Sequence, residues 1–219
     1  MSGLARAATI TVINTNDTGA GSLRAAITSA NTTPTVASTI NFSVSGTITL
    51  GSGLPTILNT SSGGLTIDGS GQAITVDGVS TYQIFLVNAG ATLNLTSLTL
   101  VNGLGNLVGG GVDNEGTLTV TNCTFSNNDG FDGGAIYNDG MLTVTKSTFS
   151  NNQSTVEGGA ILNNGTVNVT SGTFSGNHAP AAAAPSQTTP AARRPSPTAR
   201  SLATKPPASA APSKTSKPR

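Results

Sequence analysis

Asp68 and Asp77 are the residues whose type and spacing come closest to acid–base chemistry. Enzymes that cleave polysaccharides on a stacked β-sheet place a pair of aspartates, or Ca²⁺ with Lys or Arg, on one sheet face. Each of these two aspartates, however, is followed directly by glycine. In an Asp-Gly turn the carboxylate accepts a hydrogen bond from its own backbone two residues on. The sequence therefore predicts a turn-forming role for both, and a catalytic pair is the alternative.

Four further acids fall between strand-like pieces, where carboxylates could bind Ca²⁺: Asp129, Asp132, Asp139 and Glu157. The Gly-Gly-x-Gly-x-Asp repeat that binds calcium in some solenoids does not occur in the sequence. A loose calcium site is therefore the alternative, and the prediction is that the chain has no metal residues and needs no cofactor.

The remaining nucleophiles and bases give no catalytic group either. His178 has no serine, cysteine or aspartate arranged around it as a triad requires. The chain has one cysteine and one histidine, so neither a disulfide framework nor a Cys/His metal cluster can form. Cys123 is interpreted as a small buried thiol, because free cysteine is among the most buried residue types. No catalytic residue is predicted.

Residues 109–177 repeat one pattern three times. Phenylalanine recurs in them at a period of about 24–25 residues, which is typical of solenoids. Each copy contains short pieces in which apolar and polar residues alternate, and Gly-Gly, Asn-Gly or Asp-Gly separates the pieces. Alternation places the apolar side chains on one strand face, and stacked copies then enclose one continuous core. The sequence therefore predicts an all-β fold, a parallel β-helix.

The aligned positions also predict ladders of identical side chains inside the stack. Val112, Ile136 and Ile161 form one inward column, and an asparagine follows each of them by two residues. These asparagines should point inward at a corner and bond amide to amide. Six residues are predicted as structural ladder residues: Asn114, Asn138, Asn163, Phe125, Phe149 and Phe174.

Composition agrees with a solenoid and excludes one class of partner. Charged residues are 9% and aromatic residues 4% of the chain, and tryptophan is absent. The net charge of +1 conceals an uneven distribution, because residues 1–178 carry three basic residues against nine acids. A body with so few cations is not expected to bind nucleic acid. No apolar run is long enough to cross a membrane.

The N-terminal region is predicted to cap the solenoid. Residues 10–14 alternate like a strand, and residues 22–30 carry the body's only helical pattern, with Leu23, Ala26, Ile27 and Ala30 on one face. Such a helix can cover an open stack end. Arg24 within it is expected to form a salt bridge or pin a loop, and a ligand contact is the alternative.

Residues 5–7 have the A-x-A form of a signal-peptide cleavage site without the hydrophobic segment. Residues 1–9 are therefore either a disordered signal-peptide remnant or an ordinary Ala-rich start.

The domain prediction is a disordered N-terminus over 1–9, a cap over 10–38, the parallel β-helix over 39–178 and a disordered basic tail over 179–219. Strands preceding the three clear copies are expected at residues 40–44, 47–50, 65–67, 74–76, 84–87, 93–95 and 98–100. The tail contains Ala, Pro, Ser, Thr, Lys and Arg with no aromatic residue, a composition that cannot bury enough surface to fold.

A second interpretation of the tail comes from the genetic code. If each codon is read one base earlier, Ala permits Gly, Pro permits Ala, Ser permits Ile and Thr permits Asn. Residues 181–189 then give Gly-Gly-Gly-Gly-Ala-Ile-x-Asn-Asn, and residues 210–215 give Gly-Gly-Ala-Ile-x-Asn. The hypothesis is that the tail is an out-of-frame translation of further coils, which sequencing of the encoding DNA tests directly.

Two groups of motifs resemble known bacterial families. Residues 10–27 resemble the N-terminal motif of CSLREAI-type surface proteins, with Gly21 in place of the usual cysteine and Ala25 in place of the acid. The Gly-Gly-Ala-Ile elements at 133–136 and 158–161, and the Phe-x-x-Asn elements at 125–128, 149–152 and 174–177, resemble repeats of the chlamydial polymorphic outer membrane proteins. This resemblance implies a right-handed parallel β-helix on a secreted or surface-anchored bacterial protein, similar to adhesins or autotransporter passengers. No catalytic residue carries over.

The expected function is therefore a secreted or cell-surface structural or adhesive module, a fragment of a longer bacterial protein. Its partners would be a host surface, a glycan or another protein, and self-association through an uncapped last coil is also expected. The alternative is a β-helical carbohydrate-active enzyme, a lyase or hydrolase, although Arg24 and Lys146 are the only cations between residues 7 and 178. A minor alternative is ice binding, because outward threonines recur in columns.

Overall fold

Short strands joined by tight corners carry the alternation of apolar and polar residues along the chain. A computed structural model describes residues 7–180 of the 219 residues, together with the backbone of residues 200–202. The fold is an all-β parallel solenoid of about six turns with one short helix, so the predicted fold class is confirmed. We call each turn of the solenoid a coil.

Most strands overlap the predicted positions, but the strands predicted at residues 10–14 and 40–44 lie two residues earlier, at Ala8–Val12 and Ser38–Phe42. The first half contains β1 (Ala8–Val12), α1 (Leu23–Asn31), β2 (Ser38–Phe42), β3 (Gly46–Thr49), β4 (Leu65–Asp68), β5 (Ile74–Asp77), β6 (Phe85–Val87), β7 (Thr92–Thr96) and β8 (Leu98–Val101). The second half contains β9 (Leu104–Gly105), β10 (Val112–Asn114), β11 (Thr117–Thr121), β12 (Thr124–Ser126), β13 (Asp129–Asp132), β14 (Ile136–Asn138), β15 (Met141–Thr145), β16 (Thr148–Ser150), β17 (Gln153–Glu157), β18 (Ile161–Asn163), β19 (Thr166–Thr170) and β20 (Thr173–Ser175). A last short strand, β21, spans Arg200–Leu202.

Four sheets run along the solenoid axis. Sheet A has the order β1-β2-β4-β7-β11-β15-β19, and sheet B has the order β3-β5-β8-β12-β16-β20. Sheet C contains β6-β10-β14-β18 with β21 at its edge, and sheet D contains β9-β13-β17. Every pairing is parallel except that of β21, which lies antiparallel to β18.

The register between coils brings like residues together. Val112 is paired with Ile136 and Ile136 with Ile161, while Leu142 lies between Leu118 and Val167. The inward side chains of these strands form one continuous buried core along the stack. The repeat period of the sequence is therefore the coil length of the structure.

The corners demand special backbone conformations. Asn122 and Lys146 have φ of 53° and 50° at the corner between sheets A and B, a region that asparagine tolerates better than most residues. At the corner between sheets C and A the coils approach closely. A Cβ placed on Gly140 would lie 1.9 Å from the carbonyl oxygen of Gly116, so only glycine fits there.

The helix covers the first coil, as predicted. The Ser22 side chain caps its N-terminus by accepting a hydrogen bond from the Ala25 N–H. Its buried residues are the four that share a face in the sequence, Leu23, Ala26, Ile27 and Ala30, and the helix packs against β1 and β2. The strand predicted as part of this cap, β1, is instead the first strand of sheet A and pairs in full register with β2. Among the described residues, no helix has the length and apolar character needed to span a membrane.

Residues 200–202, within the segment predicted as a disordered tail, form a short strand. They lie along β18, with Ser201 opposite Leu162, because an exposed strand edge offers unpaired backbone groups to any segment that reaches it. The other predictions for the tail, its disorder and its reading frame, concern residues outside the described part of the chain. The disordered N-terminus was predicted over residues 1–9, but Ala8 and Thr9 belong to β1, and residues 1–6 are outside the described part.

Candidate functional site

The first three predicted ladder residues lie in one hydrogen-bonded chain. Asn114 Nδ2 donates to Asn138 Oδ1 at 2.5 Å, and Asn138 Nδ2 donates to Asn163 Oδ1 at 2.6 Å. All three side chains are buried at the corner between sheets C and A. Each also donates to a backbone carbonyl two residues ahead, so the amides fix both the stacking and the corner.

A second asparagine ladder lies at the corner between sheets B and D, and the sequence reasoning missed it. Asn128 Nδ2 donates to Asn152 Oδ1 and Asn152 Nδ2 donates to Asn177 Oδ1, both at 2.9 Å. The same oxygens accept the backbone N–H groups of Asn128 and Asn152. The signal was present in the Phe-x-x-Asn element, which places one asparagine three residues after each core phenylalanine.

The other three predicted ladder residues form an aromatic stack. The rings of Phe125 and Phe149 are 4.8 Å apart between centroids and nearly parallel at 8°, and those of Phe149 and Phe174 are 4.9 Å apart at 6°. This spacing is close to the distance between strands in a sheet, because each ring stands on a strand of sheet B in direct register.

The aspartates that could have formed a catalytic pair are turn residues. The Ser70 N–H donates to Asp68 Oδ1 and the Val79 N–H donates to Asp77 Oδ1, each at 2.8 Å. Asp68 ends a strand of sheet A and Asp77 ends a strand of sheet B. The predicted Asx-turn role is thus confirmed.

The loop acids do not converge. Asp132 and Glu157 are register partners on neighbouring coils, and partial burial raises the pKa of Asp129 and of Asp132. Across residues 7–180 no three His, Cys, Asp or Glu side chains are grouped as metal ligands would be.

Cys123 and His178 have structural surroundings. Burial raises the pKa of the Cys123 thiol to about 11, which leaves it protonated and unreactive at neutral pH. The backbone of His178 continues sheet-like pairing, because its N–H donates to Asn152 O and its carbonyl accepts from the Ser154 N–H.

Arg24 pins loops together, which confirms the first of its two predicted roles. Its Nη2 lies 2.6 Å from Asp17 Oδ1, and its guanidinium also donates to the carbonyl oxygens of Ser52 and Gly53 at 2.7 and 2.6 Å. The fork of donors joins the loop after β1 to the loop after β3.

One acid that the sequence reasoning did not single out is buried beside a groove. Asp113 points outward from β10 in a column whose other members are Leu86, Tyr137 and Leu162. Its side chain is 9% exposed, and its Oδ1 has no hydrogen-bond partner among the described residues. Burial first, and then the carboxylates of Glu115 and Asp139, raise the pKa of Asp113 to about 6.

We call the depression beside this residue the Asp113 groove. It has a volume of about 410 Å³. Its lining consists of Asp113, residues 104–108, and Gly53, Leu54, Thr56, Thr81, Tyr82, Gln83 and Leu86. The loop over it is one residue longer than its counterpart in the next coil, as the register of β9 with β13 and of β10 with β14 shows. The exposed side chain of Leu107, at 80%, stands on this loop.

A second outward feature is a polar array on sheet A. Nine of twelve outward positions on four successive strands are threonine: Thr92, Thr96, Thr117, Thr119, Thr121, Thr143, Thr145, Thr166 and Thr170. Asn94, Met141 and Asn168 occupy the others. The array is regular because the strands are in exact register from coil to coil.

Comparison with known proteins gives a short family match. The family model for the Chlamydia polymorphic membrane protein repeat matches residues 146–164, a span that includes β16 and β18. No curated protein matches the chain. Among solved structures, the chain is similar to the 1.7 Å crystal structure of Jun a 1, the major allergen from cedar pollen, with 14% identity, a TM-score of 0.36, and coverage of 84% of this chain and 82% of that chain.

Proposed function

We propose that this chain is a structural or adhesive module of a secreted or cell-surface bacterial protein. The observation that carries the proposal is the match of residues 146–164 to the Chlamydia polymorphic membrane protein repeat. The matched span contains β16, β17 and β18 of one coil but no strand of sheet A. Phe149 within it belongs to the aromatic stack and Asn163 to the first asparagine ladder. The neighbouring coils repeat the same ladder contacts, which supports the proposal beyond the matched span.

The outside of the solenoid supports a binding role. Sheets A and B present long polar faces, and the loops between sheets D and C differ in length from coil to coil. A regular scaffold with variable loops is the arrangement that binding proteins use to present contacts. A host surface, a glycan or another protein is the class of partner proposed.

The alternative of a carbohydrate-active enzyme has less support. It requires acids with Lys or Arg on neighbouring coils of one face. Among residues 7–180, Arg24 is held by Asp17 and two loop carbonyls, and Asp68 and Asp77 close turns. Arg24, Asp68 and Asp77 are thus engaged in holding the fold.

Two measurements test the proposal. Protease treatment of intact cells of the source bacterium should degrade the protein, while a cytoplasmic marker in the same cells stays intact. Beads coated with the purified chain should bind host cells or glycan arrays more than beads coated with the Phe149→Asp variant. Protection from protease on intact cells would contradict the surface location, and equal binding of both bead types would contradict adhesion.

Ice binding remains a second candidate because of the threonine array on sheet A. Registered threonine hydroxyls and methyl groups on a flat sheet could order water. The Thr143→Lys variant should abolish thermal hysteresis, and the Thr148→Lys variant, on the outward face of sheet B, should leave it unchanged. A parent protein with no thermal hysteresis would remove this candidate.

A further inference from the structure

The Asp113 groove combines apolar walls with one uncompensated carboxyl group. Leu54, Leu86, Leu104 and Val108 contribute side chains to its lining, and Tyr82 adds a ring. Asp113 is the only carboxylic acid among the described lining residues, and one oxygen of its carboxyl has no partner there. Buried polar groups are ordinarily hydrogen-bonded, so this carboxylate oxygen at the edge of the groove is available to a donor on a ligand.

The position of Asp113 in the repeat argues that the acid is not needed for folding. Its register partners one coil down and one coil up are Leu86 and Tyr137. An apolar or aromatic residue therefore satisfies this outward position in the neighbouring coils. A carboxyl group placed there costs desolvation free energy that an apolar residue would not.

Electrostatics around the groove favours a positive ligand. The charged groups that act on Asp113 are Glu115 on the same coil and Asp139 on the next, and both are acids. The lining also contains the phenol of Tyr82, and Tyr137 lies in the same column as Asp113. The guanidinium of Arg24, which bonds the carbonyl of Gly53 at one end of the groove, is neutralised by Asp17.

We infer that the Asp113 groove binds a primary alkylammonium group, with the ammonium against the Asp113 carboxylate and the alkyl chain along the leucine walls. An ammonium supplies the donors that a carboxylate accepts and compensates its charge. The chemistry is shared by free alkylamines and by the side chain of a lysine in a protein partner. The inference concerns this chain in isolation and does not depend on where the protein is located.

Nuclear magnetic resonance titration of the full chain with n-butylammonium chloride, at constant ionic strength, tests the inference. Binding should shift the amide signals of residues 104–108 and lower the pKa of Asp113 below about 6, because a bound cation stabilises the carboxylate. Affinity should therefore fall as the pH drops below that value. Methylammonium should bind about tenfold more weakly, because it lacks the chain that the apolar walls cover.

Two variants and two further probes complete the test. Asp113→Asn keeps the shape of the side chain and should lower the affinity by about tenfold or more, whereas the exposed Glu115→Gln should change it by no more than about twofold. Circular dichroism checks that both variants fold.

The two further probes distinguish the sources of the ammonium group. Lysine acetylated at Nα and amidated with methylamine keeps its Nε ammonium. If this compound binds as well as n-butylammonium, a protein side chain is identified as a ligand, and a weaker affinity identifies free amines. Equal binding of n-butanol, or unchanged affinity in Asp113→Asn, would overturn the inference.

Discussion

The middle coil (residues 136–157) and the last described coil (residues 161–175) have nearly the same sequence pattern but different burial. Leu142, Val144 and Phe149 of the middle coil are at most 1% exposed. Their register partners in the last coil, Val167, Val169 and Phe174, are only partly buried against the core. The inward direction of a side chain is thus set by its own strand, but its burial is supplied by the coil above and the coil below.

This difference follows from the one-dimensional architecture. Each coil contacts only its neighbours, so a coil with a neighbour on one side receives about half of the stabilising contacts. Within the described residues, β19 and β20 each pair with one strand only. The same substitution should therefore cost more in the middle coil than in the last one.

Replacing Phe149 by aspartate should have the largest effect. The ring lies between those of Phe125 and Phe174 and is fully buried. An unpaired carboxylate at this place should cost more than about 4–5 kcal/mol of unfolding free energy and unfold the middle coil. A circular-dichroism melt indistinguishable from that of the parent would contradict the stacked register.

The Phe149→Ala and Phe174→Ala variants compare the two coils directly. Loss of the fully enclosed Phe149 ring should cost about 3–5 kcal/mol, because both neighbours lose a stacking partner. Loss of the partly buried Phe174 ring should cost about 1–3 kcal/mol, because less apolar area leaves water there on folding. Urea unfolding of both variants measures the difference, and equal costs would show that the last coil is as enclosed as the middle one.

Substitutions in the asparagine ladder should show a smaller difference in unfolding free energy between the middle and the last coil, in the same direction. Asn138 accepts from Asn114 and donates to Asn163, so Asn138→Ala breaks two links of the chain, and Asn163→Ala breaks one. We expect a loss of about 2–3 kcal/mol for the first variant and about 1–2 kcal/mol for the second, since each buried partner left unsatisfied adds its own desolvation cost. Urea midpoints check the order of the two variants, and the reverse order would contradict a ladder that is stronger in the middle.

The interior of the stack could be predicted because it obeys a period. The alternation places Leu142 and Val144 inward, and the asparagine two residues after Ile136 falls at a corner. The second ladder could also have been predicted, because Asn128, Asn152 and Asn177 repeat with the same period. Periodic positions are thus determined by the strand geometry alone.

The Asp113 groove could not be predicted, because it departs from the period. It depends on the path of residues 104–108, a loop one residue longer than its counterpart in the next coil, and on the segment at residues 53–56, about two coils earlier. Nothing in the local sequence says that these segments meet around Asp113. The strand at residues 200–202 was missed for a related reason, since its pairing comes from an available edge and not from its own apolar pattern.

The open edge of the last coil should affect association more than folding. We propose that the chain self-associates through β19 and β20, each of which has one unpaired edge among the described residues, since such edges invite pairing. Thr170→Lys, on the exposed face, should reduce association with little loss of stability. Val169→Lys should instead lower stability, because this side chain packs against the core. Sedimentation velocity over a range of concentrations measures association, and a monomer at every concentration would contradict the proposal.

Deletion of residues 180–219 should have the smallest effect on stability. The only described contact of this segment with the solenoid is the three-residue pairing of β21 with β18, and a pairing of that length should contribute less than about 1 kcal/mol, since each net hydrogen bond adds little. The melting temperature should therefore stay nearly unchanged. Deletion of residues 203–219 alone, which retains β21, is the matched control. A large drop in the first deletion and none in the control would show that β21 caps sheet C and that the last coil is more enclosed than its partly exposed core residues indicate.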